Sequence, residues 1–207
     1  MDWLYISDCP KLKGDILDHL PALQTLKIIN CKLLASFVPR APNLQKLKIR
    51  KSNKVAFYVF PLLVEKIYIE GSPMVETMME AITIIQPICL KYLSIKDCSS
   101  TISFPNDQLH ASLRTLNISG LNKLKFSCDT NTNYWKHFQY IISLPITYYD
   151  NMETLLVLGS ESYKSLIHFR IGYCPNFVSI IPREGLFVPN LTRFIVHDYD
   201  KLKSLPD

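Results

Sequence analysis

The chain has 207 residues, an apolar content of 48% and a formal net charge of +5. This apolar content is ordinary for a folded protein and excludes intrinsic disorder. No stretch approaches about 18 apolar residues, so the sequence predicts no membrane span, and Met1-Asp2-Trp3 opens no signal peptide.

One apolar pattern recurs along the chain, and Leu23–Leu34 shows it most clearly. The pattern is L-x-x-L-x-I-x-x-C-x-x-L, in which the alternation around Leu26 and Ile28 predicts a strand with one buried face. Where neighbouring repeats are unambiguous, the step is 20 to 26 residues, a period typical of leucine-rich repeats. The second apolar residue of the pattern stands at Leu4, Leu26, Leu47, Ile67, Leu93, Leu116, Phe169 and Phe194.

Each repeat predicts one short strand, at residues 3–7, 24–29, 45–50, 65–70, 91–96, 114–119, 167–172 and 192–197. Every repeat runs in the same direction, so neighbouring strands should pair in parallel. The predicted fold is an α/β leucine-rich-repeat solenoid, with a curved parallel β-sheet on the concave face and loops and short helices on the convex face. We expect a single domain over residues 1–207. Because the first repeat is already under way at Trp3–Leu4, we also expect a piece of a longer protein or a truncated gene product.

One return segment between two strands is long enough for a helix. Ser72-Pro73 predicts the helix start, because serine caps a helix and proline fits its first turn. Apolar residues follow at helical spacing and should pack inward: Val75, Met78, Met79 and Ile82.

Residues 125–150 break the regular spacing, and two strand registers compete there. A partial pattern comprises Trp135, Phe138 and Tyr140, and a fuller one comprises Ile141, Leu144, Ile146, Tyr149 and Met152. The two patterns overlap, so at most one of them forms a strand of the sheet. Pro145 lies inside the fuller pattern, where it would remove a donor from the ladder. We expect the least regular structure of the chain here.

Four of the six cysteines occupy the same slot of the repeat: Cys9, Cys31, Cys98 and Cys174. We interpret them as structural thiols, because free cysteine packs like a small apolar residue. A disulfide or a metal site is the alternative, but no C-x-x-C spacing supports zinc. Reduced cysteines suit a cytoplasmic location.

The residue between the two apolar positions should point outward in every strand. Exposed aromatic residues and arginine anchor many protein interfaces, so these outward residues are candidates for a protein-binding ladder. The ladder comprises Tyr5, Lys27, Lys48, Tyr68, Ser94, Asn117, Arg170 and Ile195. Ordinary surface is the alternative interpretation.

Positive charge is concentrated in the second to fourth strands, and only Glu65 and Glu70 oppose it there. The basic residues are Lys27, Lys46, Lys48, Arg50, Lys51 and Lys66. A stripe of like charge on a sheet favours an acidic partner surface. A solvated face is the alternative, and no nucleic-acid-binding motif accompanies the charge, so we expect no nucleic-acid partner.

Catalytic motifs are absent from the sequence. It contains no G-x-S-x-G, no H-E-x-x-H and no phosphate-binding G-x-x-x-x-G-K-[ST]. The histidines show no pairing four residues apart, and His168 and His197 fall at outward strand positions, where we expect ordinary surface histidines. The sequence therefore predicts a protein that is not an enzyme and has no cofactor.

Several segments give a family resemblance over essentially the full length. They are Cys9-Pro10-Lys11-Leu12, Cys174-Pro175-Asn176-Phe177, Leu20–Leu26, Glu70–Glu76, Phe177–Gly185 and Lys201–Asp207. The chain resembles the leucine-rich-repeat region of plant intracellular disease-resistance proteins of the legume type, which join a coiled coil, a nucleotide-binding module and repeats. The resemblance fails at residues 125–150, where such proteins keep a regular repeat.

This resemblance implies a function in plant defense. The repeats would recognise a protein, either a pathogen effector or a host target, and would restrain an upstream nucleotide-binding module until a pathogen signal arrives. The alternative is the substrate-recognition subunit of a ubiquitin ligase, since those subunits also use repeats that end in cysteine.

Overall fold

The computed structural model describes residues 1–16, 18–35, 37–57, 60–71, 75, 78, 82, 89–98, 111–121, 140–148, 154–157, 163–182, 188–202 and 205. They belong to two compact units, Met1–Cys98 and Ser99–Asp207, and each unit is described by itself. That residues 1–207 form a single domain stays a prediction.

The first unit contains seven strands among its described residues. They are β1 (Trp3–Ser7), β2 (Thr25–Ile29), β3 (Phe37–Val38), β4 (Lys46–Arg50), β5 (Ala56–Phe57), β6 (Lys66–Glu70) and β7 (Tyr92–Cys98). Strands β1, β2, β4, β6 and β7 pair in parallel and in chain order. The short strands β3 and β5 lie in the return segments and form a separate parallel pair.

The second unit repeats this arrangement. Its described strands are β8 (Thr115–Leu121), β9 (Ser143–Thr147), β10 (Thr154–Val157), β11 (His168–Gly172), β12 (Ser179–Pro182) and β13 (Arg193–His197). Strands β8, β9, β11 and β13 pair in parallel in chain order, while β10 pairs with β12. One sheet strand per repeat, stacked in parallel, confirms the predicted repeat solenoid at this level.

The fuller of the two competing registers forms β9. Leu144 and Ile146 are buried, and Pro145 lies between them opposite Arg170 of β11. Although proline contributes no N–H, β9 pairs with a strand on each side. Tyr140, from the partial pattern, is exposed, and Trp135 and Phe138 lie outside the described residues.

The apolar residues of the pattern form the interior of each unit. In β2, β4, β6, β7, β8, β9 and β11 these residues are almost fully buried. Leu26, Ile28 and Ile95, for example, are 0% exposed. The equivalent Leu4 and Ile6 are only half-buried, because β1 is the first strand of the stack and pairs with β2 alone.

The predicted helix is described at three of its positions only. Val75, Met78 and Ile82 are helical and buried. Met79 and the predicted start at Ser72-Pro73 lie outside the described residues.

Every sheet strand has a residue of left-handed conformation, which directly follows the strand in seven repeats and is the second-last residue of β7 and of β8. Its φ lies between 49° and 97° at each of nine positions: Asp8, Asn30, Lys51, Gly71, Asp97, Gly120, Tyr148, Tyr173 and Asp198. Asn30, for example, donates its N–H to the Arg50 carbonyl at 2.9 Å, which continues the ladder into the turn. Aspartate, asparagine and glycine suit this conformation better than other residues do, and six of the nine positions carry one of them.

The cysteine slot comes next and closes the turn with a side-chain hydrogen bond. The Cys31 thiol donates to the carbonyl of residue 29 at 3.3 Å, and the Ser52 hydroxyl donates to the carbonyl of residue 50 at 2.9 Å. Cys174 makes the same bond at 3.4 Å. Cys9, Cys31 and Cys174 are in the thiol form, and Cys31 and Cys174 are buried, as structural thiols should be, whereas Cys9 is exposed. Its repeat is the one that contains the edge strand β1.

Candidate protein-interaction surfaces

In the first unit, strand register brings the predicted outward residues into one row. Tyr5 lies opposite Lys27, Lys27 opposite Lys48, Lys48 opposite Tyr68, and Tyr68 opposite Ser94. We call the first four residues the Tyr–Lys row. A second outward row runs beside it and includes Lys46 and Lys66, which are opposite each other. The parallel pairing thus brings together lysines that are about twenty residues apart in sequence.

The lysines of this face lie against tyrosine rings. The Lys27 ammonium is 5.6 Å from the centre of the Tyr5 ring, and those of Lys46 and Lys48 are 5.6 and 5.8 Å from the Tyr68 ring. Such contacts are attractive because the ring face is electron-rich. They hold the ammonium groups over the sheet.

Electrostatic repulsion within the face is visible at Lys48. Burial lowers the pKa of Lys48, and the positive charges of Arg50, Lys27 and Lys46 lower it further. Within the part of the chain that the structure describes, Lys27, Lys46 and Lys48 form no ion pair. Their charge is therefore uncompensated.

Arg50 and Lys51 differ from the other basic residues of the predicted stripe. Glu70 is only 5% exposed, and it forms an ion pair with the Arg50 guanidinium and another, at 3.6 Å, with the Lys51 ammonium. Burial alone would raise the pKa of Glu70, but the hydrogen bond from Arg50 and the two positive charges outweigh it and lower that pKa. The expected stripe of six cations is thus reduced, because one carboxylate contacts two of them and offsets one of their two positive charges.

Ser94 does not face solvent as predicted. It occupies the outward position of β7, but its side chain is 3% exposed. Serine is short, and its neighbours are Tyr68 across the strand pair and Tyr92 two residues earlier, whose ring centroids lie 4.7 Å apart. The larger rings therefore occupy the surface at this end of the row.

In the second unit, Arg170 is the exposed member of the predicted ladder. Asn117 and Ile195 are half-buried. The Arg170 Nε–H donates to His197 Nε2 at 3.0 Å, and His197 Nδ1 contacts Asp198 Oδ2. His197 is thus held from both sides, which corrects the expectation of an ordinary surface histidine.

Two tyrosines that the sequence analysis did not single out lie beside this group. The Tyr148 and Tyr173 rings stack with centroids 4.5 Å apart and planes 5° apart. The Tyr173 ring also meets the His197 ring edge-on at 4.8 Å. The negative charge of Asp198, and then Tyr148, raise the pKa of Tyr173. The sequence does distinguish these two tyrosines. Both stand directly before the cysteine slot, at a position that carries aspartate, asparagine or glycine in most other repeats.

Neither surface gathers the side chains of a metal site. Among the described residues, no group of three or more His, Cys, Asp or Glu side chains could hold a metal ion. No helix within those same residues is long and apolar enough to cross a bilayer. No family model, curated protein or solved structure matches the chain.

Proposed function

We propose that this chain is a protein-recognition module of the leucine-rich-repeat type, and that the lysine-rich face of its first unit binds an acidic protein surface. The observation that carries the proposal is the Tyr–Lys row. It combines uncompensated positive charge with tyrosine rings on one parallel sheet.

The electrostatics of the lysine-rich face favour an acidic partner. Lys27, Lys46 and Lys48 repel one another, as the lowered pKa of Lys48 reflects. A carboxylate-rich surface would relieve that repulsion, and it would also be attracted over a distance before contact. Contacts of this kind change association rate and specificity more than affinity.

The tyrosines add a contribution that does not depend on charge. Tyr5 is exposed and Tyr68 half-buried, and each lies within cation–π distance of a lysine. A tethered ammonium group has less conformational freedom to lose when a partner binds. The rings also supply apolar area, and tyrosine is common among the residues that dominate binding energy.

The family resemblance supplies the finer part of the proposal. On this view the module belongs to a plant immune receptor in the cytoplasm, with a curved sheet whose concave face carries the Tyr–Lys row. Its acidic partner is the upstream nucleotide-binding module, which the repeats restrain until a pathogen effector or a modified host target is recognised. The free thiols of Cys31 and Cys174 support a reducing compartment.

Charge reversal in a full-length receptor that contains these repeats tests the proposal. Lys46→Glu combined with Lys48→Glu should weaken the restraint, so that signalling starts without a pathogen. The matched control is Lys32→Glu with Lys54→Glu, which changes net charge equally at two exposed turn positions. If the first double variant folds and stays silent, or if the control signals equally, the lysine face does not provide the restraint.

A further inference from the structure

Two turns of the second unit carry residues that their backbone conformation disfavours. Tyr148 and Tyr173 have φ values of 58° and 54°, in the left-handed region. A bulky side chain is uncommon there, and six of the seven equivalent turns use aspartate, asparagine or glycine, the exception being Lys51. Residues held in unfavourable backbone conformations cluster at functional sites. Two of them in successive sheet repeats, in contact with each other, are therefore a reason to look for a site.

The rings of both tyrosines remain largely accessible to solvent. Tyr148 is 52% exposed and Tyr173 is 41% exposed, although the rings stack on each other. The stacking keeps them in one orientation and leaves an apolar surface next to polar groups. Such rigid, half-apolar side chains contribute much contact area at a small cost in conformational entropy.

Gly172 makes room for the third ring of the group. It lies opposite His197 in the β11–β13 register, and a Cβ at residue 172 would be 2.2 Å from His197 Nε2. Real Cβ atoms do not come so close to another atom, so any side chain at this position would displace the imidazole. A glycine inside a strand weakens the strand and often marks a close approach. Here the close approach is that of His197.

His197 in turn fixes the direction of the Arg170 side chain. Because Arg170 donates its Nε–H to His197 Nε2, the other ring nitrogen carries the proton and donates to Asp198. The guanidinium is thereby held at one end by a chain of hydrogen bonds. Arg170 is exposed, and its terminal amino groups form no ion pair within the described residues. They present a planar, oriented pair of donors.

We propose that Arg170, Tyr148 and Tyr173 form a second recognition site, which binds an aspartate or glutamate side chain of a partner protein and packs the residue next to it against the tyrosine rings. His197 and Asp198 are positioning residues, since they act by orienting Arg170. The inference rests on the proposed function only in taking the ligand to be part of a protein.

The chemistry of the site favours a side-chain carboxylate over other anions. The guanidinium fork fits carboxylate and phosphate alike. Because Asp198 offsets the charge of Arg170, the second negative charge of a phosphate gains little attraction here, while its desolvation costs more. Capture of a C-terminal carboxylate commonly uses free backbone N–H groups. At this site the N–H groups of Tyr148 and Tyr173 are already bound to the carbonyls of Gly172 and His197, at 3.1 and 3.4 Å.

Two capped dipeptides test the proposal in solution. The probes are acetyl-Glu-Phe-amide and acetyl-Gln-Phe-amide, which differ by the charge alone, titrated into the full 207-residue chain and followed by NMR. The glutamate probe should shift the backbone amides of Gly172, Tyr173 and His197, and the glutamine probe should bind roughly tenfold more weakly. Equal binding of the two probes would overturn the proposal.

Variants then separate a binding role from a structural role. Arg170→Lys keeps the charge but loses the fork, and should weaken the glutamate probe roughly tenfold. Arg193→Lys, an exposed arginine on the neighbouring strand, is the control and should change nothing. Tyr148→Gly relieves the left-handed backbone, so it should weaken binding without lowering the unfolding temperature.

The opposite results would contradict the inference. If Tyr148→Gly lowers the unfolding temperature and leaves probe binding unchanged, the tyrosines serve the fold. If the shifts occur only at Lys27 and Lys48, the second site does not exist, while the proposal for the lysine face is unaffected. An effect of Arg193→Lys equal to that of Arg170→Lys would mean that the loss of binding is not specific to the Arg170 site.

Discussion

Glu70→Gln is the most informative single change in the first unit, because it connects the stability of the fold with the charge of the lysine face. Glu70 ends β6 with its carboxylate nearly buried, and it contacts both Arg50 and Lys51. The substitution keeps the shape and polarity of the side chain but removes its charge. Both cations then lose their partner.

The expected loss of stability follows from the burial of the three groups. Removing one member of a fully buried ion pair costs about 3–5 kcal/mol, because the remaining charge stays in an apolar environment. Here the carboxylate is 5% exposed, but the Arg50 and Lys51 side chains are 41% and 62% exposed, so water screens what remains. We therefore expect a loss of about 1–3 kcal/mol at neutral pH.

The pH dependence has a definite sign. The pKa of Glu70 is lowered in the folded state, so the stability from its ionised form is present above the unfolded-state pKa of about 4.3. It is lost as pH falls through the lower, folded-state pKa. Wild type and Glu70→Gln should thus differ at pH 7 and converge in strong acid.

Urea unfolding at pH 7 and at acid pH measures both effects. Glu65→Gln is the matched control, because Glu65 is also paired with a lysine, Lys91 at 3.0 Å, but is 38% exposed. That control should lose at most about 1 kcal/mol. Equal losses for the two variants, or a loss for Glu70→Gln that does not change with pH, would refute the reasoning. In addition, Glu70→Gln should accelerate association with a polyglutamate peptide, since Arg50 and Lys51 become uncompensated.

Two further predictions concern the interior of the repeats. Ile95→Ala should lower the free energy of unfolding by about 2–5 kcal/mol and Ile95→Asp by more, because Ile95 is fully buried. Ile195→Ala, at a half-buried outward position, should lower it less. Thermal unfolding measures these losses, and an unchanged unfolding temperature for Ile95→Asp would show the strand register to be wrong. Ser52→Ala removes the oxygen that accepts the Cys31 N–H at 3.0 Å and should cost about 1–3 kcal/mol, while Ser52→Cys should cost less because cysteine occupies this slot in other repeats. Urea midpoints that rank Ser52→Cys below Ser52→Ala would contradict the equivalence of the two residues.

The strands were predictable because their pattern is local and repeated. A residue such as Leu26 or Ile28 needs only the alternation of a single strand to identify it as buried, and the period of the repeat supplies the neighbour on each side. The same reasoning failed where a neighbour is missing, at Leu4 and Ile6 of the edge strand. Sequence alternation identifies the buried face of a strand but not how completely that face is covered.

Pairing between outward side chains required the register as well as the pattern. Arg50 and Glu70 are opposite each other in the β4–β6 pair, so aligned repeats could have predicted their contact. The contact between Arg170 and His197 could not be found in this way, because the two residues are diagonal and their approach needs the empty space at Gly172. The absence of a side chain on one strand is what decides the rotamer on the next.

The positive charges of the two candidate surfaces have different surroundings, and this difference should determine how binding at each surface depends on ionic strength. Lys27 and Lys48 are held only by tyrosine rings and form no ion pair in the described part of the chain, so their attraction for a partner is long-ranged and sensitive to salt. Arg170 is held by hydrogen bonds and lies near a carboxylate, so its field is largely cancelled at a distance and its selectivity depends on contact geometry. Binding through the lysine face should therefore weaken steeply as ionic strength rises, while binding through Arg170 should change little. Because the lysine face attracts over a distance and Arg170 discriminates on contact, the first surface would mainly set the rate at which its partner associates, and the second would mainly set which residue it accepts.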